Sequence, residues 1–149
     1  MNVLLTKGLR AKVTDFGLSR SMSHQTTMTA EVGTLAWIAP EVLSGERYTE
    51  KADIYSFGVI LSEIDTLRQP YVQHTTEKSS SGRLSGANTG SSSMNNVHIA
   101  LMVCSGQLRP DFSPLCPRVV RELADRCLEQ DPTDRPSALE ALTALQRLH

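Results

Sequence analysis

Asp15-Phe16-Gly17 places a carboxylate ahead of an aromatic residue and a glycine, and Ala39-Pro40-Glu41 follows it further along the chain. Between them, Leu18 to Ala30 carries Ser19, Ser21, Ser23, Thr26, Thr27 and Thr29 with no apolar periodicity. These residue types suit two kinds of chemistry. A carboxylate is the hard oxygen ligand that Mg²⁺ takes beside phosphate groups, where a neutral side chain could not bridge through the metal. A run of hydroxyls is a set of acceptors for phosphorylation, which adds charge that arginine can pair with. The stretch therefore reads as a mobile, modifiable loop. A tripeptide alone is a weak signal, and it is order and spacing that carry information.

The elements that must position these residues are legible in part. Val3 to Leu5 and Ala11 to Thr14 flank Thr6-Lys7-Gly8, with Gly8 able to take the positive φ of a tight turn, so a small β-hairpin is expected to deliver Asp15. After Pro40-Glu41 the chain reads as helical. From Asp53, apolar residues recur at Ile54, Phe57, Leu61 and Ile64, with Val59 and Ile60 on the opposite side, the pattern of a buried helix. Pro70-Tyr71 ends that region. Residues 75–94 hold seven Ser and three Gly and read as a disordered insertion, because such a composition buries too little apolar surface to offset chain entropy. Val97, Ala100, Leu101 and Cys104 then predict an amphipathic helix stopped by Gly106. A proline-rich connector leads to a helical face of Val119, Val120, Leu123, Ala124, Cys127 and Leu128. Ser137 and Glu140 form a capping-box pattern for a last helix, with Leu139, Leu142, Leu145 and Leu148 expected inward. The fold class this predicts is mainly α, with a short β-hairpin at the amino end.

Composition sets limits. The 149 residues are 40% hydrophobic and 21% charged, with a formal net charge of -1. A near-neutral balance offers no electrostatic footprint for nucleic acid or an anionic membrane. No apolar run approaches the roughly 20 residues of a membrane span, and Met1 to Arg10 lacks a secretory apolar region. A cytoplasmic setting is the expectation. Cys104, Cys116 and Cys127 are odd in number and lack metal-site spacing, so they read as reduced thiols. His24, His74, His98 and His149 are scattered and suggest no metal site.

Five segments in order resemble the carboxy-terminal lobe of a protein kinase, in particular a tyrosine-kinase-like serine/threonine kinase. Asp-Phe-Gly, a hydroxyl-rich loop and Ala-Pro-Glu are that family's series. Val32-Gly33-Thr34-Leu35-Ala36-Trp37-Ile38 resembles its substrate-positioning segment, Lys51 to Leu61 its central buried helix, and Leu128 to Pro136 the segment with its late arginine. Asn2-Val3-Leu4-Leu5 is similar to the end of the catalytic loop. The resemblance implies that Asn2 and Asp15 hold Mg²⁺ beside ATP, that Phe16 packs to set active or inactive states, and that Gly17 permits the backbone to flip. It further implies that Thr34 helps position substrate and that Ser21, Ser23, Thr26, Thr27 and Thr29 are activation-loop sites for an upstream kinase. Glu41 and Arg135 look like a structural buried ion pair, Asp53 like the anchor of the catalytic loop, and Trp37 like a core or lobe-surface aromatic. Two positions depart from the pattern: Leu128 follows Cys127 where many such kinases have Trp, and Ile38 stands where Met is frequent.

The sequence holds no His-Arg-Asp, no Gly-x-Gly-x-x-Gly run and no Val-Ala-x-Lys. The resemblance makes these the base, the phosphate cover and the lysine clamp. Residues 1–149 thus read as a partial kinase domain, expected to be inactive alone. Met1 falls within what the resemblance makes a continuous loop, which favours an internal start in a longer kinase over a genuine short product. The implied reaction takes ATP and protein substrates. The rival reading is a non-catalytic lobe that binds a kinase or substrate.

Overall fold

The computed structural model describes residues 3–16, 35–71 and 91–147. It is mainly helical. Strands β1 (Val3–Leu5) and β2 (Ala11–Val13) pair antiparallel, with Val3 opposite Val13 and Leu5 opposite Ala11. A 3₁₀ turn at Leu35–Trp37 leads into α1 (Pro40–Leu43) and α2 (Lys51–Thr66). Helices α3 (Ser91–Cys104), α4 (Arg118–Cys127) and α5 (Ala138–Gln146) follow, with a second 3₁₀ turn at Pro132–Asp134.

In the hairpin, the left-handed residue is Leu9 (φ 58°), not the expected Gly8. The Thr6 side chain decides this. Its Oγ1 accepts from the Arg10 amide at 3.1 Å, while the Thr6 amide donates to the Arg10 carbonyl at 3.0 Å. Four-residue closure around Thr6 moves the tight bend one position on.

Helix α2 is the shared wall of two apolar clusters. Tyr55 and Val59 join Ala39, Tyr71, Ile99, Val103, Leu108 and Leu128 on one side. Ile54 and Leu61 join Leu123, Ala124, Cys127 and Ala141 on the other. Its buried arc is Ile54, Tyr55, Gly58, Val59, Leu61 and Ser62. Ile64, expected inward, is 65% exposed. The cause is Gly58. A Cβ there would sit 2.9 Å from Cys127 Cβ and 2.9 Å from Leu128 Cγ, so the missing side chain lets α4 approach closely and turns this face of α2 toward it.

Helix α3 begins at Ser91, four residues inside the span read as insertion; residues 75–90 lie outside the described residues. No glycine or proline interrupts Ser91 to Cys104, so the helix fixed by its packed half extends back to Ser91. Gly106 ends it as expected, at φ 70°. The buried residues are Ile99 and Val103, whereas Val97 and Leu101 are exposed. These two line an open groove of about 270 Å³ opposite Ile38, Val42 and Leu43. Residues 97–104 are apolar nearly all round, so periodicity alone could not select the deeper face.

The capping box at α5 forms. Ser137 Oγ accepts from the Glu140 amide at 3.2 Å, and Glu140 Oε2 accepts from the Ser137 amide at 2.7 Å. Leu139 and Leu142, expected inward, are exposed; Ala141 is buried, and Ala144 and Leu145 pack beside it. As the last element, α5 has α4 as its principal partner, and two alanines give that contact a narrow, close stripe. Leu148 lies outside the described residues.

Two outcomes follow. Gly58→Ala is expected to lower unfolding free energy by about 1–3 kcal/mol through overpacking, read as an earlier urea midpoint at unchanged slope. Hydrogen bonds from the Ser137 amide and hydroxyl hold the Glu140 carboxyl below the usual glutamate range. A depressed carboxyl contributes stability above its unfolded value and loses it as pH falls through the lowered one. Helix α5 should therefore fray at acid pH, by amide exchange; Glu140→Gln should remove that dependence, and Ser137→Ala, which keeps the backbone amide, should only reduce it.

Candidate functional site

Asp15 stands two residues beyond β2, where the hairpin ends, with backbone φ 62°. Among residues with side chains, Asp and Asn tolerate this left-handed region best, and such strained positions cluster at functional sites. Asp15 and Phe16 are both exposed. Asn2, Gly17, Thr34 and the loop hydroxyls Ser21, Ser23, Thr26, Thr27 and Thr29 lie outside the described residues. Of the expected metal edge, then, the structure places Asp15 with its neighbour Phe16. No group of three or more His, Cys, Asp or Glu is arranged for a metal among the described residues.

Within the helical part of the lobe, a buried ion pair joins residues far apart in sequence. Arg135 Nη1 and Nη2 reach Glu41 Oε1 and Oε2 at 2.7 and 2.8 Å, with side-chain exposures of 0% and 5%. Arg135 Nε donates to the Glu129 carbonyl at 2.7 Å, and its remaining bonds go to the Lys51 carbonyl at 3.0 Å and the Gln130 carbonyl at 3.3 Å. All five guanidinium donors are engaged. The group also lies 5.0 Å from the centroid of the Tyr55 ring, and Lys51 Nζ donates back to the Arg135 carbonyl. Proline at the first position of α1 fixes the turn that aims Glu41 inward. The start of α1, the start of α2 and the loop after α4 are thereby joined.

The segment just before α1 is held separately. Trp37, read from sequence as a core or lobe-surface aromatic, is half-buried and donates from Nε1 to Glu63 Oε2 at 3.2 Å. Its carbonyl accepts from Ser56 Oγ at 2.7 Å. Sequence reasoning missed Ser56 and Glu63. The available signal was two polar residues seven apart, two turns of one helix face. Asp53 lies in the first turn of α2, exposed, where a negative charge suits the helix dipole.

Burial pushes both Tyr55 and Tyr71 above the ordinary phenol value. It also raises the Cys127 thiol to about 11, which marks a packed, inert cysteine.

A hairpin that ends at Asp15-Phe16 and, further along the chain, a helical lobe tied by the Glu41–Arg135 pair suit a protein kinase domain, and the comparisons agree. The protein kinase domain family model matches residues 1–145. The chain belongs to the protein kinase family. It is 36% identical over 148 residues to a probable serine/threonine-protein kinase of Dictyostelium discoideum, covering 99% of this chain and 14% of that protein. An RGS domain-containing serine/threonine-protein kinase A from the same organism is 33% identical, with 99% of this chain and 11% of that protein covered. A probable LIM domain-containing serine/threonine-protein kinase is 31% identical, at 99% and 20%. The chain thus spans between 11% and 20% of the length of these three relatives.

Removing either partner of the buried pair, by Glu41→Gln or Arg135→Met, is expected to cost about 3–5 kcal/mol of stability. The double change should cost clearly less than the sum of the two. Urea unfolding of the four proteins reads this coupling, and additive losses would contradict it.

Proposed function

We propose that this chain is the carboxy-terminal lobe of a tyrosine-kinase-like serine/threonine protein kinase. The parent reaction transfers the γ-phosphoryl group of ATP to a protein hydroxyl. The new bond joins the γ-phosphorus to the serine or threonine oxygen, the bond to the bridging oxygen breaks, and ADP departs. The observation that carries the reading is Asp15, in left-handed backbone at the end of the hairpin and within the Asp-Phe-Gly of a chain matched by the kinase domain family. The serine/threonine preference rests on the names of the relatives.

Asp15 suits Mg²⁺, which is held by one or two carboxylates together with phosphates and waters. Asp15 and Asn2 would hold the ion, which when bound neutralises charge on the transferring phosphate. Thr34 would help position the substrate hydroxyl. Ser21, Ser23, Thr26, Thr27 and Thr29 are the candidate sites for an upstream kinase. Among the described residues no helix is long and apolar enough to cross a membrane, and a cytoplasmic setting is part of this proposal.

The 149 residues contain no His-Arg-Asp, glycine-rich loop or Val-Ala-x-Lys, so the chain itself should not turn over. A second reading, a non-catalytic lobe that binds a kinase or substrate, draws on the exposed apolar side chains of the hairpin, Leu4, Leu5, Leu9 and Val13.

Incubated with Mg²⁺, γ-labelled ATP and pooled Ser, Thr and Tyr peptides, the purified chain should transfer no label above a denatured control. Steady incorporation abolished by Asp15→Ala would show that these residues suffice. Joined behind an amino-terminal kinase lobe that supplies the missing parts, the chain should support labelling of Ser and Thr peptides. Asp15→Ala should then reduce it about 10²-fold or more. Labelling confined to Tyr peptides would overturn the substrate assignment, and none at all would favour the non-catalytic reading.

A further inference from the structure

Of the seven prolines in the sequence, one follows a hydroxyl residue, at Ser113-Pro114. It lies in the connector between α3 and α4, outside helix and strand. There the Cys116 amide donates to the Ser113 carbonyl at 3.1 Å and closes a turn with Pro114 at its second position. Pro114 is exposed, and Leu115 at the tip is 91% exposed. None of the residues assigned to nucleotide, metal or substrate lies here.

The serine is held by one carboxylate at the carboxy-terminal end of α2. Its amide donates to Asp65 Oδ2 at 2.6 Å and its Oγ to Asp65 Oδ1 at 3.0 Å. Ser62 Oγ, one turn back on the helix, donates to the Asp111 carbonyl at 2.6 Å. Between these two fastenings Phe112 packs against both apolar clusters. An irregular segment tied by a few side-chain bonds opens locally at less cost than the whole fold.

Beside the tie is a cavity of about 300 Å³, lined by Asp65, Asp111 and Ser113 and also by Arg68. A water takes about 30 Å³ in the liquid, so a phosphoryl group has room there. Arg68 is exposed and makes no ion pair among the described residues. A hydroxyl that donates to a carboxylate thus shares a cavity with an unclaimed guanidinium.

We propose that Ser113 is a phosphorylation site for a proline-directed serine/threonine kinase, and that its phosphate exchanges the tie to Asp65 for one to Arg68. Pro114 offers no main-chain N–H after the serine, which suits an enzyme whose acceptor groove takes proline at that place. Ser113 Oγ bonds to the γ-phosphorus of ATP, the bond to the bridging oxygen breaks, ADP leaves and the hydroxyl proton passes to solvent. The product carries a charge of about −1.5 to −2 and has no hydroxyl proton left to give Asp65. Asp65 and Asp111 repel it, while arginine can receive it through paired N–H bonds. The inference goes beyond the kinase reading, since it makes this chain a substrate at a site remote in sequence from Asp15 and the loop hydroxyls.

The full chain is incubated with a purified proline-directed serine/threonine kinase, Mg²⁺ and γ-labelled ATP, and the label is mapped by peptide mass spectrometry. Wild type should carry it on Ser113. Ser113→Ala should take none above background, and neither should Pro114→Ala, which keeps the hydroxyl. Mapping on wild type stands however the variants fold. The second ionisation of phosphoserine, ordinarily at about pH 6, is followed by phosphorus NMR. It should fall in the modified wild-type chain and move back up in modified Arg68→Gln. Exchange of the Ser113 amide should quicken about tenfold or more, the loss of a hydrogen bond to a charged group.

A wild-type chain left unlabelled under conditions that label a free peptide of residues 109–118 would overturn the proposal and leave Ser113 a structural tie alone. So would label mapped elsewhere, or undiminished in Pro114→Ala. An ionisation raised rather than lowered, and indifferent to Arg68→Gln, would overturn the exchange of partners. The kinase reading survives each of these results, because Asp15 takes no part in them.

Discussion

The lobe depends on one buried charge pair, Arg135 with Glu41, separated by 94 positions in sequence. Taking two ions out of water costs several kcal/mol each, and that cost is met only when geometry is good and every remaining donor is satisfied. Here the guanidinium and carboxylate meet in parallel, and the remaining bonds run to the carbonyls of Lys51, Glu129 and Gln130. The carbonyls of Glu129 and Gln130 belong to an irregular loop, which has no ladder of its own to join, and that of Lys51 opens α2. Arg135 gives that loop its shape while it holds α1 in place. Lysine, with a single compact charge, could not reproduce the arrangement.

From that centre the structure is built outward along α2. One side of the helix closes a cluster with α3 and the segment before α1, the other a cluster with α4 and α5. Two polar residues near the carboxy-terminal end of α2 join the segment at Asp111 and Ser113 to the helix. Asp65 receives the amide and hydroxyl of Ser113 at 2.6 and 3.0 Å, and Ser62 donates to the Asp111 carbonyl at 2.6 Å. The central helix is thus both the floor of the apolar core and the rail on which the irregular segments are hung. Irregular backbone near a core needs partners for its N–H and C=O groups, and α2 supplies several of them through side chains.

Much of this was legible in sequence where local chemistry decides it. The capping box at Ser137 and Glu140, the stop at Gly106 and the buried face of Leu123, Ala124 and Cys127 all follow from short-range rules. The pairing of Glu41 with Arg135 was readable through family resemblance, since nothing local joins them. What failed is instructive. Ile64, Leu139 and Leu142 sit on apolar stripes, yet periodicity gives the existence of a face and not the rotation of a helix against its partner. Gly58 and Ala141 set that rotation by being small. Leu9 replaced Gly8 because a threonine side chain, rather than glycine's freedom, closed the turn. Of the site, Asp15 was legible as part of a tripeptide. The partnership of Trp37 with Ser56 and Glu63 was not, because it exists only once the chain has brought residues 19 and 26 positions apart together.

The hairpin that ends beside Asp15 is of another kind. Each strand residue from Val3 to Leu5 and from Ala11 to Val13 is exposed, and the strands pair chiefly with each other. A two-stranded ribbon without a packed face is marginal by itself. Its local opening therefore costs far less than global unfolding, and it forms a separate cooperative unit from the helices centred on Arg135. The lobe joins two mechanical regimes: a stiff block that carries the segment ahead of α1, and a soft ribbon that carries the carboxylate. Whatever covers the ribbon gains control over where that carboxylate stands, without touching the core.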